Sequence, residues 1–175
     1  MATVITGKYK GRKFFSANNP KIRPTQGRVK KSMMEILEPF KGRNVLDLYS
    51  GIGTLGIEAL SRGALSVTFV ENYSLSLSYL KKNINYICSD EKIKIIQEDV
   101  TSFLSSCSNA YDIVLADPPY KGLLFSKLHM QIKNVLTKEG KFCIEMKRQI
   151  IENDGEIRIK YYGNTQVVFG WKTKK

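Results

Sequence analysis

From residue 44 onward, the chain alternates between short apolar runs and segments whose apolar residues recur three and four positions apart. The apolar runs predict strands over residues 45–49, 66–71, 92–97, 111–116 and 141–147. The amphipathic segments predict helices over residues 54–62, 73–87, 100–106 and 121–137. This alternation predicts right-handed crossovers and an α/β fold, with a mainly parallel sheet that helices cover on both faces.

Both ends of the chain break the alternation. Residues 156–162 and 165–171 alternate polar and apolar positions around Gly163-Asn164, which predicts an antiparallel hairpin at one edge of the sheet. The sheet is therefore expected to have seven strands. The N-terminal part predicts a small hairpin over residues 3–15 and then a helix from about Gln26 to Leu37, with Thr25 as its N-cap.

Positive charge is concentrated in the first quarter of the chain. Residues 1–43 contain eleven Lys or Arg against two Glu, which accounts for +9 of the formal net charge of +12. Tyr9, Phe14 and Phe15 are interleaved with these cations, as in arms that bind phosphates and stack on bases. We therefore expect a basic N-terminal extension over residues 1–43 that contacts nucleic acid, and a main domain over residues 44–175. A solvated, lysine-rich surface is the alternative interpretation.

The composition excludes several classes of protein. A chain of 175 residues with 42% hydrophobic content has the material for one globular domain. No apolar run approaches the roughly 20 residues of a membrane span, and the N-terminus lacks the pattern of a secretory leader, so a cytoplasmic protein is expected. Three cysteines without paired spacing and a single histidine, His129, predict neither disulfides nor a metal site nor a His-based triad.

A glycine-rich turn follows the first predicted strand. Gly51, Gly53 and Gly56 have the G-x-G-x-x-G spacing, in which a missing side chain lets the backbone approach a ligand and lets the helix pack on the strand. Glu71 stands twenty residues after Gly51 at the end of the next predicted strand, where an acid accepts the hydroxyls of a ribose. Together these features predict a cofactor that contains adenosine.

Asp47 distinguishes between two such cofactors. A carboxylate four residues before the first glycine would repel the pyrophosphate of NAD, but it would attract the ammonium of S-adenosylmethionine. Tyr49, in the same turn, is assigned to the cofactor site. Asp99, at the end of the third predicted strand, is then expected to accept from the adenine amine, with the Val100 backbone beside it.

The most informative motif is Asp117-Pro118-Pro119-Tyr120, which follows the buried run of residues 111–116. Proline has no N–H and a fixed φ, so the Pro118 carbonyl has no regular ladder to join and can accept from a ligand. Asp117 supplies a second acceptor, Tyr120 supplies a stacking face, and Pro119 is assigned to the same substrate site. The motif predicts a rigid site for a planar group that bears an exocyclic amine.

Each assignment has a structural alternative. Gly51 and Gly53 could only shape a tight turn, Asp47 could pair with a polar group of the core, and Asp99 could only cap a helix. Two further acids are expected to be solvated, Glu58 and Glu98. Four apolar residues are expected in the core: Met33, Met34, Phe103 and Leu104.

These motifs together resemble the bacterial 16S ribosomal RNA guanine-N2 methyltransferase family of the guanine 966 type. The resemblance covers nearly the whole chain and is carried by Gly11-Arg12-Lys13, Arg23-Pro24-Thr25, residues 46–64, Asp117-Pro118-Pro119-Tyr120 and Tyr162-Gly163-Asn164-Thr165. The run from Leu55 to Ala64 is more specific than the glycines alone. The chain departs from the family at Lys31, where an acid is common, which affects the contacts expected of the N-terminal helix.

The resemblance implies a Rossmann-like class I methyltransferase fold and a monomer that methylates the N2 amine of a guanine in 16S rRNA, within a small-subunit assembly, using S-adenosylmethionine. Asp117 and the Pro118 carbonyl would accept from the amine, and Tyr120 would stack on the extruded base. The expected contacts to RNA are Arg12, Arg23 and Thr25. Three rival functions stay open: a DNA methyltransferase acting on adenine N6 or cytosine N4, a protein-glutamine methyltransferase, and an RNA-binding module with a degenerate methyltransferase fold.

Overall fold

A computed structural model describes residues 2–17, 27–119, 124–152 and 155–172. Within these ranges the helices are α1 (Gly27–Leu37), α2 (Thr54–Ser61), α3 (Ser74–Ile87), α4 (Val100–Ser106) and α5 (Phe125–Val135). The strands are β1 (Asn44–Leu48), β2 (Ser66–Val70), β3 (Ile93–Ile96), β4 (Tyr111–Ala116), β5 (Leu136–Lys147), β6 (Ile157–Tyr162) and β7 (Thr165–Trp171). Arg23, Thr25, Gln26 and Tyr120 lie outside the described residues.

These strands form one sheet in the order β3-β2-β1-β4-β5-β7-β6. The strands from β1 to β5 run parallel, whereas β7 pairs antiparallel with both β5 and β6. The predicted seven-stranded, mainly parallel sheet with a C-terminal antiparallel hairpin at one edge is therefore confirmed. Within the described ranges, no helix is both long and apolar enough to cross a bilayer.

Two apolar clusters cover the two faces of the sheet, because successive side chains of a strand point to opposite faces. On one face, Val45 and Ile113 pack in a cluster with residues of α1, α2 and α3. On the other face, Leu46 and Val114 pack in a cluster with residues of α4 and α5. The four residues predicted for the core are all buried: Met33, Met34, Phe103 and Leu104.

Two elements differ in extent from the prediction. Strand β5 begins at Leu136 rather than Lys141, and its register against β4 shifts between Tyr111 and Ile113. Glu139 adopts a positive φ of 68° inside this irregularity, so a segment that reads as a turn continues the strand. The predicted N-terminal hairpin contains one antiparallel bridge, between Thr3 and Lys13, flanked by backbone hydrogen bonds from Val4 to the Arg12 carbonyl and from Phe14 to the Ala2 carbonyl.

The expectation that Glu58 is solvated is wrong. Its side chain is fully buried in α2, and its two oxygens accept the backbone N–H groups of Ile5 at 2.8 Å and Thr6 at 2.9 Å. The buried Lys30 ammonium lies 3.2 Å from Glu58 Oε2, and Arg62 Nε donates to Oε1 at 3.3 Å. Burial is possible because this carboxylate is paired and hydrogen-bonded on both oxygens.

The Glu58 network fastens the N-terminal segment to the rest of the molecule. Lys30 also donates to the Thr3 carbonyl at 2.9 Å, and burial lowers the pKa of its ammonium despite the opposing Glu58 charge. Val4 and Phe14 are buried in the same apolar cluster as α2. The division into an extension and a main domain at residue 43 stays a prediction, and the two parts share one core.

Replacing Glu58 by Ala tests this network. The change leaves the Lys30 ammonium buried without its counter-charge and removes the acceptor of two backbone N–H groups, so we expect a loss of about 3–5 kcal/mol in the free energy of unfolding. Glu35→Ala is the matched control, because the Glu35–Lys31 pair is exposed and such pairs contribute about 1 kcal/mol or less. Urea unfolding of both variants measures the difference. Equal losses would contradict a structural role for the buried pair.

Candidate active site at the carboxyl rim

The strand order reverses between β1 and β4, because β2 and β3 follow on one side of β1 while β4 and β5 follow on the other. Open α/β sheets bind ligands outside the carboxyl ends of their strands at such a point. Asp47 lies near the end of β1, Glu71 follows β2 and Asp117 follows β4. The fold therefore brings three predicted site residues to one edge of the sheet, which we call the carboxyl rim.

The turn after β1 has an unusual backbone conformation. Gly51 and Gly53 have positive φ angles of 55° and 88°, which L side chains rarely adopt. A Cβ on Gly53 would stand 2.5 Å from Leu80 Cδ1, whereas a Cβ on Gly51 would meet nothing within 4 Å. Tyr49 adopts the same left-handed region without being glycine, with a φ of 56°. The predicted tight turn is present, and Gly51 leaves its outer side open to a ligand.

Gly56 allows α2 to pack directly on the sheet. A Cβ at this position would lie 2.3 Å from the Phe69 ring and 2.9 Å from Asp47 Oδ2. The Gly56 N–H donates to the same Asp47 oxygen at 2.9 Å. The structural alternative for Asp47, a polar partner in the core, is therefore present, and its role toward an ammonium stays a prediction.

Asp47 is a buried acid with a strongly altered proton affinity. Its pKa is raised from 3.8 to about 8, mainly by burial and to a smaller extent by the Asp117 and Glu71 charges, against the opposing effect of the Gly56 hydrogen bond. The Asp47 carboxyl is only 1% exposed, so water does little to stabilise its charge. The charges of Asp117 and Glu71 thus both act on Asp47. A cation placed among them would favour the ionised form of Asp47.

Glu71 joins the glycine turn to the start of α3. Its Oε2 accepts the Gly51 N–H at 2.8 Å, and its Oε1 accepts the N–H groups of Asn72 at 2.9 Å and Tyr73 at 2.8 Å. These three bonds fix the orientation of the carboxylate at the rim. Each oxygen has two lone pairs, so the group can accept further bonds. The predicted contact with a ribose agrees with this geometry and stays a prediction.

Asp99 caps α4, as its structural alternative predicted. Its Oδ1 accepts the N–H groups of Thr101 at 2.9 Å and Ser102 at 3.2 Å, while the Val100 side chain is buried. The side chain itself is exposed, and its charge adds to burial in raising the pKa of the Tyr49 hydroxyl. Tyr49 and Asp99 therefore lie on the same side of the rim. The predicted contact between Asp99 and an adenine amine stays a prediction.

The Asp-Pro-Pro segment leaves β4 at the same rim. Asp117 is half-buried, and its N–H approaches the Leu48 carbonyl oxygen at 3.5 Å, at the end of β1. Pro118 is buried and Pro119 is exposed. Tyr120 lies outside the described residues, so its predicted stacking role stays a prediction. The described part of the motif places Asp117 beside the glycine turn.

The arginines and threonine predicted to contact RNA are only partly described. Arg12 Nη1 donates to the Tyr86 carbonyl at 3.2 Å and to the Ile87 carbonyl at 2.6 Å, and its guanidinium carbon lies 5.1 Å from the Tyr9 ring centroid. Arg12 therefore fastens the N-terminal segment to the end of α3, where a cation is also favoured by the helix dipole. Its role toward RNA stays a prediction. Arg23 and Thr25 lie outside the described residues.

Asn83 is a functional candidate that sequence reasoning missed. It is fully buried in α3, its Oδ1 accepts the Phe15 N–H at 2.7 Å, and its Nδ2 donates to the carbonyls of Phe15 at 3.1 Å and Ile52 at 3.0 Å. One side chain thus joins the basic N-terminal segment to the glycine turn. The signal in the sequence is a polar residue on the apolar stripe of a helix, next to Leu80 and Ile84.

Glu145 is a second residue that sequence reasoning missed. It is a buried acid on β5, and the pairing of Ala116 with Ile144 makes Glu145 the neighbour of Asp117 across the two strands. Its charge and that of Asp117 both add to burial in raising the pKa of the Cys143 thiol. An acid inside the apolar run of residues 141–147 is the signal that could have identified it. Among the described side chains, no group of three or more His, Cys, Asp or Glu is arranged to hold a metal ion.

The reversed strand order, the glycine turn after β1 and the acid after β2 define the Rossmann-like fold of class I methyltransferases. The chain belongs to the family described as "Conserved hypothetical protein 95", whose model matches residues 2–171. The solved structure of yhhF from Escherichia coli, described as a candidate methyltransferase, covers 99% of this chain and 99% of that one with a TM-score of 0.86 and 25% identity. The predicted fold class is confirmed.

Two curated relatives carry the same name. Ribosomal RNA small subunit methyltransferase D from Haemophilus influenzae is 38% identical over 67% of this chain, and the match spans 63% of that relative's length. The protein of that name from Buchnera aphidicola subsp. Acyrthosiphon pisum is 34% identical over 85% of this chain and 80% of its own length. The predicted family resemblance is therefore confirmed.

Replacing Asp47 by Asn tests whether the buried carboxyl is protonated in the ligand-free protein. Because its pKa is raised from 3.8 to about 8, the folded protein keeps a proton that the unfolded chain releases above about pH 4. The stability that Asp47 contributes is thus complete below pH 4 and lost as the pH rises through 8. Asn has no such proton to lose, so its contribution to stability does not change with pH. Between pH 5 and pH 8 the free energy of unfolding of Asp47→Asn should therefore rise, relative to that of the wild type, by about 2 kcal/mol or more.

Urea unfolding of the ligand-free proteins at the two pH values measures this difference. The exposed Asp90→Asn is the matched control, since it makes the same chemical change outside the core. A difference for Asp47→Asn that does not depend on pH would show that the carboxyl is already ionised at pH 5.

Proposed function

We propose that this protein transfers a methyl group from S-adenosylmethionine to the exocyclic N2 amine of a guanine in 16S ribosomal RNA, within a small-subunit assembly. The names of the two relatives support ribosomal RNA as the substrate. The net charge of +12 supports a nucleic-acid partner. The observation that carries the proposal is the position of Asp117 beside the glycine turn, where its charge acts on Asp47.

The carboxyl rim fits the proposed methyl donor. Gly51 leaves open space where a side chain would stand, and the Glu71 carboxylate is held by three N–H groups with acceptor capacity left for ribose hydroxyls. Glu71 and Asp117 give the site a negative potential, which suits a ligand that carries an ammonium and a sulfonium, and such a ligand would favour the ionised form of Asp47. S-adenosylmethionine, when bound, supplies an electrophilic methyl group.

Asp117 is proposed to hold the guanine amine and to remove its proton. The lone pair of this amine is delocalised into the ring, so the nitrogen becomes a useful nucleophile only when its N–H bonds are aimed at acceptors. The Asp117 carboxylate and the Pro118 carbonyl are such acceptors. As the new N–C bond forms, the bond between the methyl group and the donor sulfur breaks, and its electron pair stays on the sulfur. The nitrogen then loses one proton, which Asp117 receives and passes to water. Alignment of the reacting groups supplies much of the remaining rate enhancement.

Analysis of the modified nucleoside tests the substrate. The protein is incubated with S-adenosylmethionine carrying an isotopic label in the methyl group and with small ribosomal subunits, naked 16S rRNA or DNA, followed by digestion and mass spectrometry. We expect labelled N2-methylguanosine from the ribosomal substrates. Labelled N6-methyladenine or N4-methylcytosine from DNA would replace the proposal with a DNA methyltransferase. Label in protein alone would replace it with a protein methyltransferase, and no transfer would favour an RNA-binding module.

Two variants of Asp117 separate its proposed roles. Asp117→Ala removes both the acceptor and the proton carrier, so turnover should fall by about 100-fold or more while affinity for S-adenosylmethionine stays within a few-fold. Asp117→Asn keeps an acceptor oxygen but cannot receive a proton, so its turnover should lie between that of the Ala variant and the wild type. Single-turnover rates and calorimetric titration with the cofactor provide the measurements. Wild-type turnover in Asp117→Ala would refute the assignment.

A further inference from the structure

A basic and aromatic surface lies where β5 and the β6–β7 hairpin meet the carboxyl rim. We call this surface, formed by Arg148 and Tyr161, the hairpin platform. The Arg148 guanidinium carbon lies 4.6 Å from the Tyr161 ring centroid, and the Tyr161 side chain is 55% exposed. Arg148 is also exposed. The platform therefore presents a stacked guanidinium and ring to the solvent.

The platform is held rigidly by the hairpin. The Arg148 N–H donates to the Asn164 carbonyl at 2.9 Å, and the Gln149 N–H donates to the Oε1 of the buried Gln166 at 3.2 Å. Tyr161 pairs with Gln166 across the β6–β7 ladder. Stacking on the ring orders the guanidinium, and no described residue accepts a hydrogen bond from its N–H groups. These donors can therefore reach a phosphate at a small entropic cost.

The sheet places this platform on the same edge as Asp117. Ala116, Ile144, Val168 and Ile159 form one cross-strand row, and β4 and β6 run in the same direction. Asp117 is one residue beyond that row and Tyr161 is two residues beyond it. Three strand spacings separate β4 from β6, so the Tyr161 backbone lies roughly 14 Å from that of Asp117, while Arg148 follows β5, the strand next to β4. A single nucleic-acid strand can reach both places at once.

The chemistry of the platform selects one kind of occupant. An exposed aromatic ring stacks on bases of any sequence, and exposed cations neutralise phosphates. Residues 147–149 add two positive charges and no negative charge. A surface for a protein partner would be expected to pair an apolar core with a polar rim instead. Charge complementarity and the stacked pair therefore favour single-stranded RNA.

We propose that the hairpin platform binds the single-stranded RNA that flanks the target nucleotide, with one base on the Arg148–Tyr161 stack and a phosphate on the Arg148 guanidinium. The proposal rests on the proposed function, because it takes the nucleotide at Asp117 to be part of an RNA. It adds a second contact region on the side of the sheet opposite to the basic N-terminal segment, which packs along α3. RNA would then be held on both sides of the carboxyl rim.

Binding of a short fluorescein-labelled single-stranded RNA, followed by fluorescence anisotropy, tests the platform. Tyr161→Ala should weaken binding by about five-fold or more, since it removes a stacking ring, whereas Tyr161→Phe should bind like the wild type. Arg148→Ala should weaken binding and reduce the slope of log affinity against log salt by about 0.7. Arg158→Ala is the matched control, because Arg158 is an exposed arginine on the same strand but on the opposite face of the sheet.

The outcomes separate this proposal from the proposed function. Thermal unfolding and calorimetric titration with S-adenosylmethionine should be unchanged in all four variants, which shows that fold and cofactor site are intact. Unchanged RNA affinity in both Tyr161→Ala and Arg148→Ala would overturn the platform proposal. It would not affect the proposed methyl transfer, because the nucleoside product and the Asp117 variants test that function separately. Equal weakening in Arg158→Ala would overturn it as well, because a general charge effect would then explain the loss. Weaker binding to assembled subunits without weaker binding to naked RNA would assign the surface to a protein partner.

Discussion

The arrangement of the site depends on one close contact, the approach of α2 to the sheet at Gly56. The absent side chain leaves room for the Phe69 ring and lets the Gly56 N–H reach the buried Asp47 carboxyl. A larger residue at this position would push α2 away from β1 and β2, and the turn between Gly51 and Gly53 would move with it. The position of the glycine turn relative to Asp117 therefore follows from the packing of one helix on two strands.

The same helix organises the N-terminal segment through charge as well as through apolar packing. Glu58 lies two residues after Gly56, and it holds two backbone N–H groups of the N-terminal segment together with the Lys30 ammonium. A buried ion pair contributes little net stability compared with apolar residues, but breaking it is costly, so it defines a single arrangement of the groups around it. Asn83 adds a neutral link of the same kind between Phe15 and the glycine turn. The basic segment and the cofactor side of the rim are thus parts of one connected network.

The sheet could be predicted because its strands are buried on both faces and read as apolar runs, and because parallel strands require crossovers. The meeting of Asp47, Glu71 and Asp117 could be predicted for the same reason, since each follows or ends a strand of that sheet. The burial of Glu58 could not be predicted. An acid in an eight-residue helix is expected to be solvated, and its partners come from segments that are distant in the sequence. The structural contacts of Arg12, which is predicted to bind RNA, and of Asn83, which the sequence analysis does not single out, could not be predicted either. Their partners are backbone groups, which leave no pattern in the sequence.

The carboxyl rim is organised around acidic side chains at the point where the strand order reverses. The charges of Glu71 and Asp117 act on Asp47, which is so well buried that it holds a proton to about pH 8. Tyr49 is kept in a left-handed conformation beside them, and such strain persists only where the surrounding structure imposes it. Both features cost stability in the absence of a ligand. A cationic ligand would recover part of that cost by allowing Asp47 to ionise, so binding at the rim and the protonation of Asp47 are linked.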